Sequence, residues 1–178
     1  MSRSLTENTS TVTLQDLPDD VLLSIFAYFS CRQLCQVIGC VCRRWYTLSR
    51  NPTLWKDIDL SNYNCSLTYL EMICHYFQTA HSLKLPYYDS FKDESFTSII
   101  RFCPRLYKID CSFCAGITCQ AIVNLVEYCP NLVDINVEGS NIQDRAVQAM
   151  SKLNLKSLNL SHCTKLTDES LYQMANGK

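Results

Sequence analysis

A small all-α unit followed by an α/β solenoid, a curved parallel sheet backed by outer helices, is the fold class this sequence predicts. Three observations carry it. A short apolar signature returns at a nearly constant offset: "CPRLYKIDCSFCAGIT" begins at residue 103 and "CPNLVDINVEGSNIQD" at residue 129, 26 residues on. Within each copy, apolar residues first alternate and then recur at helical spacing. Ahead of the copies lies "LPDDVLLSIFAYF", which opens on a proline-led acidic turn and is then apolar on nearly every side of a helix.

Residues 1–13, "MSRSLTENTSTVT", are polar and Ser/Thr-rich and read as a flexible tail. They lack the apolar core of a secretory signal. Residues 14–56 are expected to form the all-α unit. Pro18 suits the first turn of a helix, and Asp19 and Asp20 complement its positive end. At helical spacing Leu22, Ile25, Phe26 and Phe29 share one stripe, with Leu23 and Ala27 away from it. Ser30 can cap a second helix carrying Leu34, Val37, Ile38 and Val41, and a third carries Trp45 and Leu48 before Asn51-Pro52 breaks it. Helices this short cannot bury several apolar faces alone, since chains below about 40 residues usually need help. The solenoid can cover one side through Trp55; the other calls for a separate protein. Leu22, Ile25 and Phe26 are the expected anchors there, each alanine truncation costing about 2–4 kcal/mol of binding.

Residues 57–178 hold about five strand–helix units. A third copy, "LKSLNLSHCTKLTD", puts Leu155, Leu158, Leu160 and Cys163 in register with Leu132, Ile135, Val137 and Ser140. Upstream, Leu83 and Leu85 align with Ile109 and Cys111, and Ile58 and Leu60 lie one unit earlier. Alternation points these residues inward. It points Asp57, Asp59 and Ser61; Ser82, Lys84 and Pro86; Lys108, Asp110 and Ser112; Asp134, Asn136 and Glu138; and Ser157, Asn159 and Ser161 outward. The following helices carry Phe96, Ile99 and Ile100; Ala121, Ile122, Leu125 and Val126; and Ala146, Val147 and Met150. Repeats of this length and pattern are those of a leucine-rich-repeat solenoid, each unit burying its apolar side on the next. The last unit begins a helix in "DESLYQMANGK" without a polar capping repeat, so the solenoid is expected to be incomplete at that end.

The chain carries 12 cysteines and a formal net charge of -1, with 19% charged residues. Near-neutrality without charge runs disfavours phosphate backbones as partners, and the apolar run is too short for a bilayer. Without a secretory signal the expected compartment is cytoplasm or nucleus. The tightest cysteine pairs, "CVC" and "CSFC", lack the second pair or closely spaced histidines of a zinc site. The repeat register explains most cysteines structurally. Cys114 and Cys163 take a turn position, with Ser140 between them, where a small donor reaches the neighbouring turn's carbonyl oxygens; Cys111 points inward; Cys103 and Cys129 precede helix-stopping prolines. No phosphate-cradling glycine loop or Ser/His/Asp elbow occurs. No catalytic residue, metal ligand or cofactor is assigned.

"CPxLxxLxLxxC" followed by "LTDES" or "IQDRA" resembles the cysteine-containing subfamily of leucine-rich repeats, over roughly residues 55–178. The stretch from Leu17 to Trp55 resembles the F-box, through Leu17-Pro18, Leu22-Leu23, Ile25-Phe26, Leu34, Val41-Cys42, Trp45 and Leu54-Trp55. Gln33 departs from it, where an acidic residue commonly precedes the leucine, as does Cys40 before Val41. The resemblance implies a substrate-recognition subunit of an SCF-type ubiquitin ligase: the F-box docks on a Skp-type adaptor hung from a cullin and its RING subunit, and the repeats grip a protein substrate. On that reading Leu17, Pro18, Leu22, Leu23, Ile25, Phe26, Phe29, Leu34, Val41, Cys42 and Trp45 bind the adaptor. The concave residues Asp59, Lys84, Lys108, Asp110, Asp134, Asn136, Glu138 and Asn159 bind substrate, with better tolerance of a basic or neutral segment than of a phosphorylated one. No homo-oligomer is expected. Two alternatives are a non-degradative scaffold in a stable assembly such as a ciliary complex, and an enzyme using cysteine or metal, which the residue pattern disfavours.

Overall fold

In a computed structural model, residues 13–61, 69–70, 73–87 and 92–176 are described. The expected tail, apart from Thr13, lies outside them. A 3-10 turn at Leu14–Asp16 leads into α1 (Asp19–Phe26), α2 (Cys31–Gln36) and α3 (Arg43–Leu48). A further 3-10 turn lies at Ile38–Cys40, and another, Pro52–Trp55, delivers the chain directly into β1 (Asp57–Asp59). Then follow β2 (Ser82–Lys84), α4 (Asp93–Ile100), β3 (Lys108–Asp110), α5 (Cys119–Tyr128), β4 (Asp134–Asn136), α6 (Asp144–Met150), β5 (Ser157–Asn159) and α7 (Glu169–Asn176).

The strands form a parallel sheet in sequential order, β1 to β5. Ile58, Leu83, Ile109, Ile135 and Leu158 stand in one rung across it. This is the register the repeat alignment predicts. Alternation holds through the central strands, whose middle residues are fully buried while their neighbours are not. The inner helix faces meet them with Phe96, Ile99 and Ile100, then Ala121, Ile122 and Leu125, then Ala146, Val147 and Met150.

Each strand is three residues long for a local reason. Where the strand's last residue is Asp or Asn, its side chain folds back and accepts the backbone N–H two residues on, an Asx turn that ends the extended run. The pairs are Asp59 with Ser61 (2.8 Å), Asp110 with Ser112 (3.1 Å), Asn136 with Glu138 (3.1 Å) and Asn159 with Ser161 (3.0 Å). In β2 the residue two on is Pro86, which has no N–H to donate, and the strand ends on Lys84 instead.

The turn position behaves as expected of a small donor. Cys114 Sγ donates to the Pro86 carbonyl (3.4 Å), Ser140 Oγ to that of Cys111 (3.4 Å) and Cys163 Sγ to that of Val137 (3.2 Å). Each joins one repeat to the one before. The apolar interior is one continuous cluster from Leu22 to Cys163. Trp55 joins the helices to the sheet: its indole N–H donates to the Ser49 carbonyl (3.0 Å), and its ring stacks on Tyr76 with centroids 5.0 Å apart. The core therefore has no break at residue 56, which makes the joint between helices and sheet stiff.

Candidate interaction surfaces

The three-helix unit is held from within. Ser30 caps α2, and Gln33 closes a capping box by accepting the Ser30 backbone N–H at 3.0 Å. Gln33 thus has a local structural task. Arg44 clamps α3 to the start of α1: its guanidinium donates to the Asp19 carboxylate (2.6 and 2.8 Å) and to the carbonyls of Gln15 and Leu17 (both 2.6 Å). Nothing in the apolar spacing marked Arg44 for this role.

Burial divides the expected adaptor residues into three sets. Leu22 (0% exposed), Phe26 (1%) and Leu34 are interior, Phe26 meeting Trp45 edge-on at 5.1 Å. Of the expected anchors, Leu22 and Phe26 are thus covered by the chain's own helices, whereas Ile25 stays half-buried. A helix with apolar residues all round offers two candidate inner faces, and the Leu22/Phe26 line is the one that packs against α3. Leu17, Leu23, Ile25, Phe29, Cys42 and Trp45 are half-buried, whereas Pro18 and Val41 are exposed. The surface also exposes Val21, Tyr28 (92%) and Val37, none of which was among the expected contacts. Helical spacing puts Val37 on the α2 stripe, and Val21 and Tyr28 fall within the apolar run. Singly exposed apolar residues are common, but the helical unit carries these three besides Val41.

On the sheet's outer face, two of the expected outward positions turn inward. Ser112 is buried and donates its hydroxyl to Asp110 (2.7 Å), and Pro86 is buried beside the Cys114 thiol. Asp59, Asp110, Asn136 and Asn159 each have one oxygen engaged in closing a turn, so part of their chemistry is structural. Lys84 lies 3.9 Å from Asp110 and Lys108 lies 2.8 Å from Asp134, pairs running from strand to strand. The hydrogen bond from Lys108 to Asp134 raises the Lys108 pKa, and Tyr87 is the main cause of a rise at Lys84. Asn159 donates to Glu138 at 3.0 Å. Glu138 also lies 4.0 Å from His162 Nε2, and with both lysines paired, Asp57 and Asp59 leave the face acidic.

The buried thiols show how their environment suppresses reactivity. Burial pushes Cys31 and Cys129 up to about 12 and raises Cys103 and Cys111 as well, which keeps them protonated. The described cysteines are thiols rather than disulfides, and among the described residues no cluster of His, Cys, Asp and Glu could hold a metal ion. Nor is any described helix long and apolar enough to cross a membrane.

Known proteins share both parts of this arrangement, a three-helix unit feeding a repeat sheet. The F-box-like family matches residues 14–61 and the leucine-rich-repeat family residues 152–175. The chain thus carries an F-box-like segment followed by a leucine-rich-repeat segment. It is 25% identical over 177 residues to F-box/LRR-repeat protein 12 of Arabidopsis thaliana, covering 90% of this chain and 44% of the relative. It is also 25% identical over 172 residues to the SCF E3 ubiquitin ligase complex F-box protein pof2 of Schizosaccharomyces pombe, covering 89% of this chain and 36% of that one. The chain therefore spans less than half the length of these two relatives. Among solved structures, a chain in the yeast Rad7–Elc1 complex has the same fold, with a TM-score of 0.55 and 18% identity over 88% of this chain and 37% of that one.

Proposed function

We propose that this chain is the substrate-recognition subunit of an SCF-type ubiquitin ligase. Its helical unit docks on a Skp-type adaptor, and through it on a cullin–RING core, while the sheet's outer face holds a protein substrate in the cytoplasm or nucleus. The chain itself makes and breaks no bonds. The observation that carries this reading is the uninterrupted core across Trp55, which fixes a helical unit with exposed apolar residues to a polar repeat face. A receptor that acts by proximity needs such stiffness, because holding a substrate beside a charged E2 raises its effective concentration.

The adaptor contacts on this reading are the exposed and half-buried residues Leu17, Pro18, Leu23, Ile25, Phe29, Val41, Cys42 and Trp45, joined by Val21, Tyr28 and Val37. Leu22, Phe26 and Leu34 support them from below. The test is recovery of the adaptor and cullin with the tagged chain, compared with Val41→Glu. Glutamate on an exposed site leaves the fold intact but places an unpaired charge in the interface, so recovery should fall at least tenfold. If adaptor and cullin do not accompany the wild-type chain, the ligase reading is wrong. Recovery without any client whose ubiquitination depends on the chain would favour the scaffold alternative.

A further inference from the structure

Four residues occupy one repeat position just past the strands: Tyr87, Phe113, Gly139 and His162, at offsets of 26, 26 and 23 residues. The backbone there is left-handed in the last three, with φ of 56° at Phe113, 65° at Gly139 and 59° at His162. Glycine is the ordinary occupant of such a position, and a bulky aromatic residue is disfavoured in it. Phe113 gains little burial in return, since it is 49% exposed, and its neighbour Tyr87 is 52% exposed. The two rings meet edge-to-face with centroids 6.1 Å apart. The next position must be glycine for this to happen: a Cβ on Gly139 would lie 2.5 Å from Phe113 Cδ1. An exposed ring held in an unfavourable backbone conformation, on a seat cleared by glycine, points to a ligand outside the chain.

The charges beside the ledge say which ligand. The Phe113 N–H donates to the Glu138 carbonyl, so the ledge adjoins a residue whose carboxylate faces the sheet's acidic side. The chain's own Lys84 Nζ already lies 6.0 Å from the Tyr87 ring centre, in reach of the negative face of an aromatic ring. Paired lysines leave Asp57 and Asp59 in excess along the sheet, with Glu138 at the rim, where its carboxylate accepts from Asn159 and lies 4.0 Å from His162 Nε2.

We propose that Tyr87 and Phe113 form an aromatic ledge that recognises an arginine- or lysine-bearing segment of a partner protein, the cation lying on the rings and facing Glu138. This rests on the reading that the repeats bind a protein partner, and it specifies that partner's chemistry.

Three fluorescein-labelled peptides test it against the full chain: one alternating arginine and glycine, one alternating glutamate and glycine, and one alternating leucine and glycine. The arginine peptide should bind most tightly. Phe113→Asn removes the ring but suits the left-handed backbone, so thermal stability should hold or rise while arginine-peptide affinity falls about tenfold. Tyr87→Ser should weaken the same peptide and leave adaptor recovery unchanged. Equal affinity of wild type and Phe113→Asn for the arginine peptide would overturn the proposal. So would tighter binding of the glutamate or leucine peptide, or absence of binding by all three. Adaptor recovery is read separately, so the F-box assignment stands or falls on its own result.

Discussion

Thr167 donates both its backbone N–H (2.9 Å) and its hydroxyl (2.6 Å) to the carboxylate of Asp144, one repeat earlier. Thr118 makes the same double contact with Asp93, and between these rungs the Gln143 N–H reaches the Cys119 sulfur at 3.2 Å. From α5 onward the start of each helix is therefore tied to the start of the one before it. This is how the "TD" and "QD" helix starts act in three dimensions: the second residue of one repeat receives the first residue of the next.

That rung should be visible in acid. The Thr167 hydrogen bonds hold the Asp144 pKa below its ordinary 3.8. A depressed folded-state value gives stability that is complete above the unfolded value and is lost as pH falls through the folded one. Asp144→Asn should therefore flatten the decline of the denaturation midpoint between about pH 4 and pH 2. Parallel curves for the two proteins would refute the assignment.

Leu22→Ala and Phe26→Ala should act on stability before they act on binding. Emptying these buried sites costs about 2–5 and 3–5 kcal/mol respectively. Urea midpoints should fall for both, whereas Val41→Glu and Tyr28→Ser leave them unchanged. If Leu22→Ala unfolds at the wild-type midpoint, the residue is not interior.

Gly139→Ala should lower stability through both its positive φ and the Phe113 ring, by roughly 1–2 kcal/mol from the backbone conformation alone. In the double variant with Phe113→Gly the steric part disappears, so the two effects should not add. Strict additivity in a thermal or urea double-mutant cycle would mean that ring and glycine do not touch.

Thiol labelling should follow burial. At pH 8 with iodoacetamide, exposed Cys40 should react first. Cys103, Cys111 and Cys129 should resist until denaturant is added, because they are inaccessible and held protonated. Peptide mapping over time settles the order. Labelling of Cys111 at the rate of Cys40 would contradict the packed repeat core.

Asp110→Asn separates two roles of one side chain. The amide oxygen can still accept the Ser112 N–H and close the Asx turn, so stability should change little. The charge facing basic partners is lost, and capture of an arginine-bearing peptide should weaken. Asp110→Lys would remove both roles and report on neither alone.

The repeat architecture was open to reading because its cause is periodic. Ile109, Ile135 and Leu158 can share a rung only if each unit turns the same way, so their recurrence fixes both strand register and helix face. The small donors at 114, 140 and 163 were equally legible, since one position repeated gives one geometry. The helical unit was less so. With apolar residues all round α1, spacing placed Leu22 and Phe26 on a stripe but could not say whether that stripe met Trp45 or a partner.

What the sequence determined by itself was the order of elements, the parallel register and the inward residue of each strand, because these follow from local alternation repeated along the chain. Tertiary packing alone decided which side of α1 became core, that Arg44 would clamp Asp19, and that Phe113 would lie over Gly139. Each depends on residues far apart in the chain, or in successive repeats, being brought together, and the physical reason is that neither spacing nor composition encodes which of several apolar faces a short helix will bury.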